Sequence, residues 1–265
     1  MFLMLLTGKE IDMLDMFTLK LKRHLSTAVL GRNVVHMREC GSTNDEAKNN
    51  THYPHGTLFI ADKQTAGRGR RGNSWVSKKG DGIYMSLLLK PDIPPENISQ
   101  ITLIAGIALC NAIGMGAMIK WPNDIVIGNK KVSGTLTEYH KNCVICGIGI
   151  NVNASSFPEE LHMASSLYLE GGKKLHLPTL TANILNEFEK AYERFLKTGF
   201  SGFSGEYEKL CVNIGKTVRV IHESHELIGV AESISQGGGI NIKTPDGIKC
   251  ITSGDVSIRG MYGYV

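Results

Sequence analysis

Residues 97–114, NISQITLIAGIALCNAIG, are apolar nearly all round. A helix of that kind has no face to offer water, so it must be enclosed by other elements. The flanking sequence supplies them. GTLFIADK (56–63) and GIYMSLLLK (82–90) read as strands, rich in apolar and β-branched residues. Residues 118–140 read as two strands around a Gly128-Asn129 turn, with Pro122 breaking the chain before the first. CVICGIGINV (143–152) continues the sheet. In PTLTANILNEFEKAYERFLK (178–197), Leu180, Ile184, Leu185, Phe188, Tyr192 and Phe195 recur at helical spacing, and Pro178 suits a first turn.

The two ends of the chain have a different texture. Before residue 30 only MLDMFTLKLKRHL (13–25) is patterned, as one amphipathic helix. CGSTNDEAKNN follows, in which Thr43 and Glu46 fit a capping box at a helix start. From about residue 213 there are five short strands with glycine-rich turns: IGKTVRVI, HELIGVAESI, GGINIKT, GIKCITS and DVSIR. That is the signature of a small β-barrel. The reading is therefore an α+β chain in three parts: an extension at 1–29, a mixed sheet flanked by helices at 30–212, and a barrel at 213–265.

The 265 residues carry a formal net charge of +4, too small to imply nucleic acid, so any anion site must be a local concentration of charge. Six cysteines are scattered along the chain, and only Cys143 and Cys146 form a C-x-x-C. On a strand, residues three apart point to opposite faces, so these thiols should be reduced core residues rather than zinc ligands. The N-terminal apolar run of six residues, with no basic start, is too short for a signal peptide or a membrane span. A cytoplasmic protein without a membrane partner is expected.

Gly67, Gly69 and Gly72 in QTAGRGRRGNSW (64–75) spell G-x-G-x-x-G. A dinucleotide fingerprint must open a helix whose N-terminus holds the pyrophosphate. Here the polar NSWVSKKGDG intervenes and runs into a strand, and no acidic residue follows in the required setting. NAD is excluded. Glycines interleaved with Arg68, Arg70 and Arg71 instead describe an anion clamp, because glycine admits close backbone approach and arginine offers forked donors. Like-charged arginines on a glycine-rich segment should leave residues 66–74 disordered until an anion arrives. A solvated basic turn or a nucleic-acid patch is the competing reading.

KWPND (120–124) and KKVSGTLTE (130–138) fall on adjacent predicted strands. Lys120, Lys130 and Lys131 bracket a turn carrying Asn123 and Asp124. Alternation puts Lys120 among apolar neighbours, and a lone buried lysine is unfavourable, so a bound anion should compensate. An exposed lysine-rich hairpin is the alternative.

STN (42–44), GRGRRGNSW (67–75), KWPND (120–124), KVSGTLTE (131–138), GIGIN (147–151) and SGDVSIR (253–259) occur in one order. That order resembles the biotin–protein ligases, over residues 30 to 262. The resemblance implies a catalytic domain related to class II aminoacyl-tRNA synthetases, followed by an SH3-like barrel. It implies that biotin and ATP form biotinyl-5′-AMP, which acylates a lysine of a biotin carboxyl carrier domain. Mg²⁺ would accompany ATP, with Asp124 a candidate ligand, and no tightly bound cofactor is implied.

By the same resemblance, Ser42, Thr43, Asn44 and Gln64 contact the biotin head group, and Gly134, Gly147 and Gly149 let strands approach its chain. Gly67, Arg68, Gly69 and Arg70 wrap the carboxylate and α-phosphate, and Lys131 sits where these meet. Arg68, Arg70 and Lys131 are thus the catalytic candidates. Arg71, Trp75, Lys120, Asn123, Asp124, Asn151 and Arg259 fall on the nucleotide side. Many relatives carry a basic residue where this chain has Asn73, which bears on how tightly the loop closes. The winged helix of the repressor forms is missing, so specific DNA binding is not expected. A homodimer is left open.

Two other readings compete. A lipoate–protein ligase shares the scaffold but usually carries R-R-x-S-G-G-G in this loop. A non-enzymatic nucleic-acid module would need aromatic residues interleaved with the basic ones, and Trp75 is the one aromatic near the loop.

Overall fold

The structure is a computed structural model that describes residues 11–222, 225–253, 256–260 and 264–265. A first sheet has seven strands: β1 (Val34–Met37), β2 (Thr57–Ala61), β3 (Gly82–Leu89), β4 (Met118–Lys120), β5 (Asp124–Ile127), β6 (Lys130–His140) and β7 (Cys143–Asn151). Their order is β1-β2-β3-β7-β6-β5-β4, with β1 parallel to β2 and the other pairs antiparallel. Residues 118–140 thus hold three strands where the sequence suggests two. The Gly128-Asn129 turn joins β5 to β6, and the short β4 precedes the Trp121-Pro122 break, whose peptide bond is cis.

The six α-helices among the described residues are α1 (Ile11–His24), α2 (Thr43–Asn49), α3 (Gln100–Ile113), α4 (Leu167–Gly171), α5 (Leu177–Thr198) and α6 (Ser204–Leu210). Pro95–Ile113 is long and apolar enough to cross a membrane by composition, yet every α3 residue from Gln100 to Cys110 is buried. Its sides are taken by α5, α6 and strands β4, β5 and β6, which is the enclosure an all-apolar helix requires. α1 packs on α5, so the N-terminal segment covers the helical layer; residues 1–10 lie outside the described residues.

α2 lies on the other side of the sheet, over β2, β3 and β7. Strand alternation divides the faces. Met85, Leu87, Cys146 and Ile148 join the core under α3 and α5, whereas Leu88, Cys143 and Ile145 pack with Ala47 of α2. The two cysteines of the C-x-x-C therefore belong to different clusters, as their spacing demands. Burial pushes the Cys146 thiol up to about 12.

A second, wholly antiparallel sheet has the order β11-β10-β9-β8-β12, from β8 (Thr217–His222), β9 (His225–Ile234), β10 (Ile240–Thr244), β11 (Gly247–Ile251) and β12 (Val256–Gly260). It is fastened to the first sheet at the KWPND turn. The Trp121 N–H donates to Asn213 Oδ1 (2.9 Å) and its indole N–H to the Gly238 carbonyl (3.0 Å). That fastening brings β12 and the chain end to the open face of the first sheet.

Candidate active site

α2 begins at Thr43 with Ser42 in the N-cap position, but Ser42 makes no side-chain capping bond. The capping box expected of Thr43 and Glu46 is not formed. Thr43 is instead drawn sideways: its N–H and hydroxyl donate to Gln64 Oε1 (2.8 and 3.2 Å), and its hydroxyl accepts from Ser86 (2.8 Å). Ser86 also bonds Asn44 Oδ1, whose amide N–H₂ donates to Glu138 (2.7 Å). Gln64 completes the chain by donating to Ser77 (2.9 Å). Ser42, Thr43, Asn44 and Ser86 are all buried. The result is a small polar pocket of about 50 Å³, whose lining joins Ser42, Thr43, Asn44 and Gln64 to Arg68, Arg70 and Lys131.

The glycines beside it mark close approaches. A Cβ on Gly147 would fall on the Asn44 amide, and one on Gly149 would lie 2.5 Å from the Trp75 ring. Gly134 has Trp75 and Lys131 Nζ each 3.2 Å from the same position. Trp75 thus lies across Gly134 and Gly149, and its indole N–H is buried without a partner in the protein. About 50 Å³ holds only a few waters, so a bicyclic ring can enter only if Trp75 or its loop yields.

On the other side of Trp75 is a larger cavity of about 480 Å³. Arg70, Arg71, Lys120, Lys131, Arg259 and Asn151 all line it. Lys131 Nζ is 2.5 Å from Asp124 Oδ1 and 5.5 Å from the Trp75 ring centre. Asp124 is buried, and despite that burial the Lys131 and Lys120 ammonium groups hold its carboxyl below the usual range. Lys120 pairs across the turn with Asp124 in the β4–β5 register. Burial, aided by Arg259, Lys131 and Arg70 and opposed by Asp124, pushes its ammonium down to about 8. Asn151 donates to the Ser165 carbonyl (3.0 Å), which ties the end of β7 to the cavity wall.

The glycine-arginine loop spans both cavities and is internally bonded. Gly69 N–H donates to the Asn73 carbonyl (2.7 Å), Trp75 N–H to the Gly67 carbonyl (2.8 Å), and the Asn73 amide to the Arg70 carbonyl (2.8 Å). The arginines diverge to separate acceptors. Arg70 donates to Asn123 and to the Ser253 carbonyl, each at 3.0 Å. Arg68 donates to Asp45 (2.6 Å) and lies 3.5 Å from Glu138, at the small pocket. Arg71 adopts the left-handed region at φ 57°. Asn73 is thus part of the turn itself, and a loop expected to repel itself carries its own acceptors.

The structure therefore gathers Lys131, Trp75, Arg70, Gly69 and Asn123 at the seam of the two cavities. It gives Arg68 to the small pocket alone, and Lys120, Arg71, Asn151 and Arg259 to the large one. Both carboxylate oxygens of Asp124 are engaged, Oδ1 by Lys131 and Oδ2 by the Tyr264 hydroxyl. That makes Asp124 the ion-pair partner of Lys131. Among the described residues no group of three or more His, Cys, Asp or Glu could hold a metal ion. Gly254 and Asp255 of the SGDVSIR motif lie outside the described residues. Sequence reasoning missed Ser86, whose signal was a lone serine in an apolar strand, and Tyr264, which carries no local signal.

The chain matches the Biotin/lipoate A/B protein ligase family over residues 36–153. It is 40% identical to the Bifunctional ligase/repressor BirA of Bacillus spizizenii over 248 residues, covering 88% of this chain and 76% of the relative. It is 27% identical to the Biotin–[acetyl-CoA-carboxylase] ligase of Mycobacterium tuberculosis over 211 residues, covering 76% and 78% of the two chains. The biotin protein ligase of Aquifex aeolicus solved with biotin and ATP superposes with a TM-score of 0.81 at 35% identity, covering 86% of this chain and 99% of that one.

Proposed function

This chain belongs to the biotin/lipoate A/B protein ligase family, and we propose that it is an ATP-dependent biotin–protein ligase. Biotin and ATP form biotinyl-5′-AMP and pyrophosphate, and the acyl group then passes to a lysine of a biotin carboxyl carrier domain. The observation that carries the division of labour is Lys131 at the seam between a pocket rich in hydroxyls and amides and a cation-lined cavity.

Ser42, Thr43, Asn44 and Gln64 line the small pocket and offer hydroxyls and amides, the groups that match a ureido ring without charge. The biotin carboxylate must reach the α-phosphorus of ATP, though both are anionic. Lys131 and Arg70 neutralise them together and hold them in line, which is the electrostatic part of catalysis. The carboxylate oxygen forms the new bond to phosphorus as the bond to the pyrophosphate oxygen breaks. Lys120, Arg71 and Arg259 take the phosphate side, Asn151 and Trp75 the nucleotide side, and Arg68 the biotin side. Mg²⁺ enters with ATP as part of the substrate. In the second step the carrier amine displaces AMP from the acyl carbon, and no protein nucleophile is needed.

We read the second sheet as the SH3-like barrel of the family and place the domain boundary near residue 212. We further read the protein as cytoplasmic and as a ligase without operator recognition, since its formal net charge of +4 does not favour nucleic acid. A footprint that responds to biotin would overturn that last point. The catalytic reading is tested by ATP–pyrophosphate exchange with biotin or lipoate, followed by transfer of labelled biotin to a carrier domain. Exchange supported by biotin alone is expected; exchange supported only by lipoate would reverse the substrate assignment.

A further inference from the structure

Tyr264, the penultimate residue, enters the larger cavity from the chain end. Its hydroxyl donates to Asp124 Oδ2, while Asp124 Oδ1 holds Lys131 Nζ at 2.5 Å and the Asn123 amide at 3.2 Å. The ring is faced by two cations, Lys120 Nζ at 4.1 Å from its centre and Arg259 at 5.5 Å. Burial and the neighbouring Asp124 carboxylate raise the phenol well above its ordinary range, so it stays protonated and acts as a donor.

We propose that Tyr264 is a positioning residue for adenylate formation: it fixes the Asp124 carboxylate, and through it the ammonium of Lys131, at the seam of the two cavities. The inference rests on the ligase reading above. Lysine is a point charge on a flexible stem, and a carboxylate turns readily about its last torsion. A Lys–Asp pair alone would therefore hold Lys131 loosely. With Tyr264 on one oxygen and Asn123 on the other, the carboxylate has one orientation, and the ammonium it carries is preorganised. The ring is held in turn by Lys120 and Arg259 through its π-face. The chain end beyond β12 thus supplies a working part of the site, with Arg259 of β12 against the Tyr264 ring.

Four proteins test this: wild type, Tyr264→Phe, Asp124→Asn and the double variant. The readouts are kcat for biotin-dependent ATP–pyrophosphate exchange, the KM values of biotin and ATP, and the thermal midpoint. Phe keeps the ring on Lys120 and removes only the donor. We expect Tyr264→Phe to lower kcat about ten-fold, the scale of one hydrogen bond to a charged group, with biotin KM within about two-fold and an unchanged midpoint. In the Asp124→Asn background the same substitution should change kcat less than about two-fold. A Tyr264→Phe enzyme with wild-type kcat overturns the proposal, and so does a ten-fold loss that persists without Asp124. If Asp124→Asn fails to fold, Tyr264→Phe decides alone: a kcat loss at constant biotin KM supports positioning, and a loss confined to KM or stability overturns it. Wild-type protein that shows no biotin-dependent exchange would instead overturn the ligase reading itself.

Discussion

The two cavities share one sheet face and five lining residues but are built on opposite principles. Apart from Arg68 and the shared Arg70 and Lys131, the small pocket is neutral: hydroxyls and amides bond one another in a chain that runs Ser77, Gln64, Thr43, Ser86, Asn44, with geometry fixed in advance. The large cavity is ionic, with lysines and arginines converging on the Asp124 carboxylate. Neutral hydrogen bonds contribute about 0.5–1.5 kcal/mol each and discriminate by shape. Charges act over longer distances and respond to the charge that develops in a transition state. The first design suits recognition of an uncharged head group, the second suits chemistry between anions.

The largest expected effect breaks the ionic end. Lys131→Ala should remain folded yet form adenylate about 10²–10³ times more slowly, the usual loss for one preorganised charge. Biotin-dependent exchange and circular dichroism check it, and near-normal exchange would remove Lys131 from the catalytic role. The neutral end should break differently. In Gly147→Ala the new Cβ falls on the Asn44 amide, which Ser86 and Glu138 hold in place. Overpacking of this kind costs about 1–3 kcal/mol, so biotin KM should rise about ten-fold or more while kcat changes less. An equal fall in kcat with unchanged KM would contradict the contrast between the two ends.

The loop that spans both cavities separates them further. Arg68, Arg70 and Arg71 are trypsin sites within one short window. Arg68 and Asn73 make their bonds at exposed positions, and entry to the small pocket requires Trp75 or its loop to shift. Biotin with ATP should slow cleavage there several-fold, and biotin alone less, because only the pair fills both sides. Cleavage rates that are equal with and without both ligands would show that the loop does not close over them.

What the sequence disclosed follows from where the information lies. The enclosed helix, the strand alternation that splits Cys143 from Cys146, and the Lys120–Asp124 turn are local patterns, and each is found in the structure. β1 escaped notice because a four-residue parallel strand has no turn signal to announce it. The capping box failed because Thr43 fits the local rule but is recruited by Gln64 and Ser86; rules of local structure fail most often where a site needs the residue elsewhere. Arg68 and Arg70 differ by two positions, yet one meets Asp45 and the other Asn123. Only the folded loop decides that, and the same holds for Tyr264, which lies 140 residues from its Asp124 partner.

The smallest effect sharpens the contrast through pH. Lys120 is buried at the ionic end with its ammonium pushed down to about 8, chiefly by that burial. Between about pH 8 and the ordinary lysine value of 10.5 the folded protein has released this proton while the unfolded chain still holds it. The unfolded state then binds more protons, so this group's contribution makes stability rise with pH across that window. Binding has the opposite sign. Phosphate favours the charged lysine and raises its pKa, so ATP binding above about pH 8 should take up a proton, and affinity should fall by at most about ten-fold per pH unit. Biotin binding at the neutral end should show neither effect. Calorimetry at pH 8.5, taken as about half a unit above the Lys120 midpoint, in two buffers of different ionisation enthalpy, measures the uptake directly. Lys120→Met should abolish it and flatten the rise of stability with pH. If the variant takes up as many protons as the wild type, the proton belongs to another group and Lys120 does not face the phosphates.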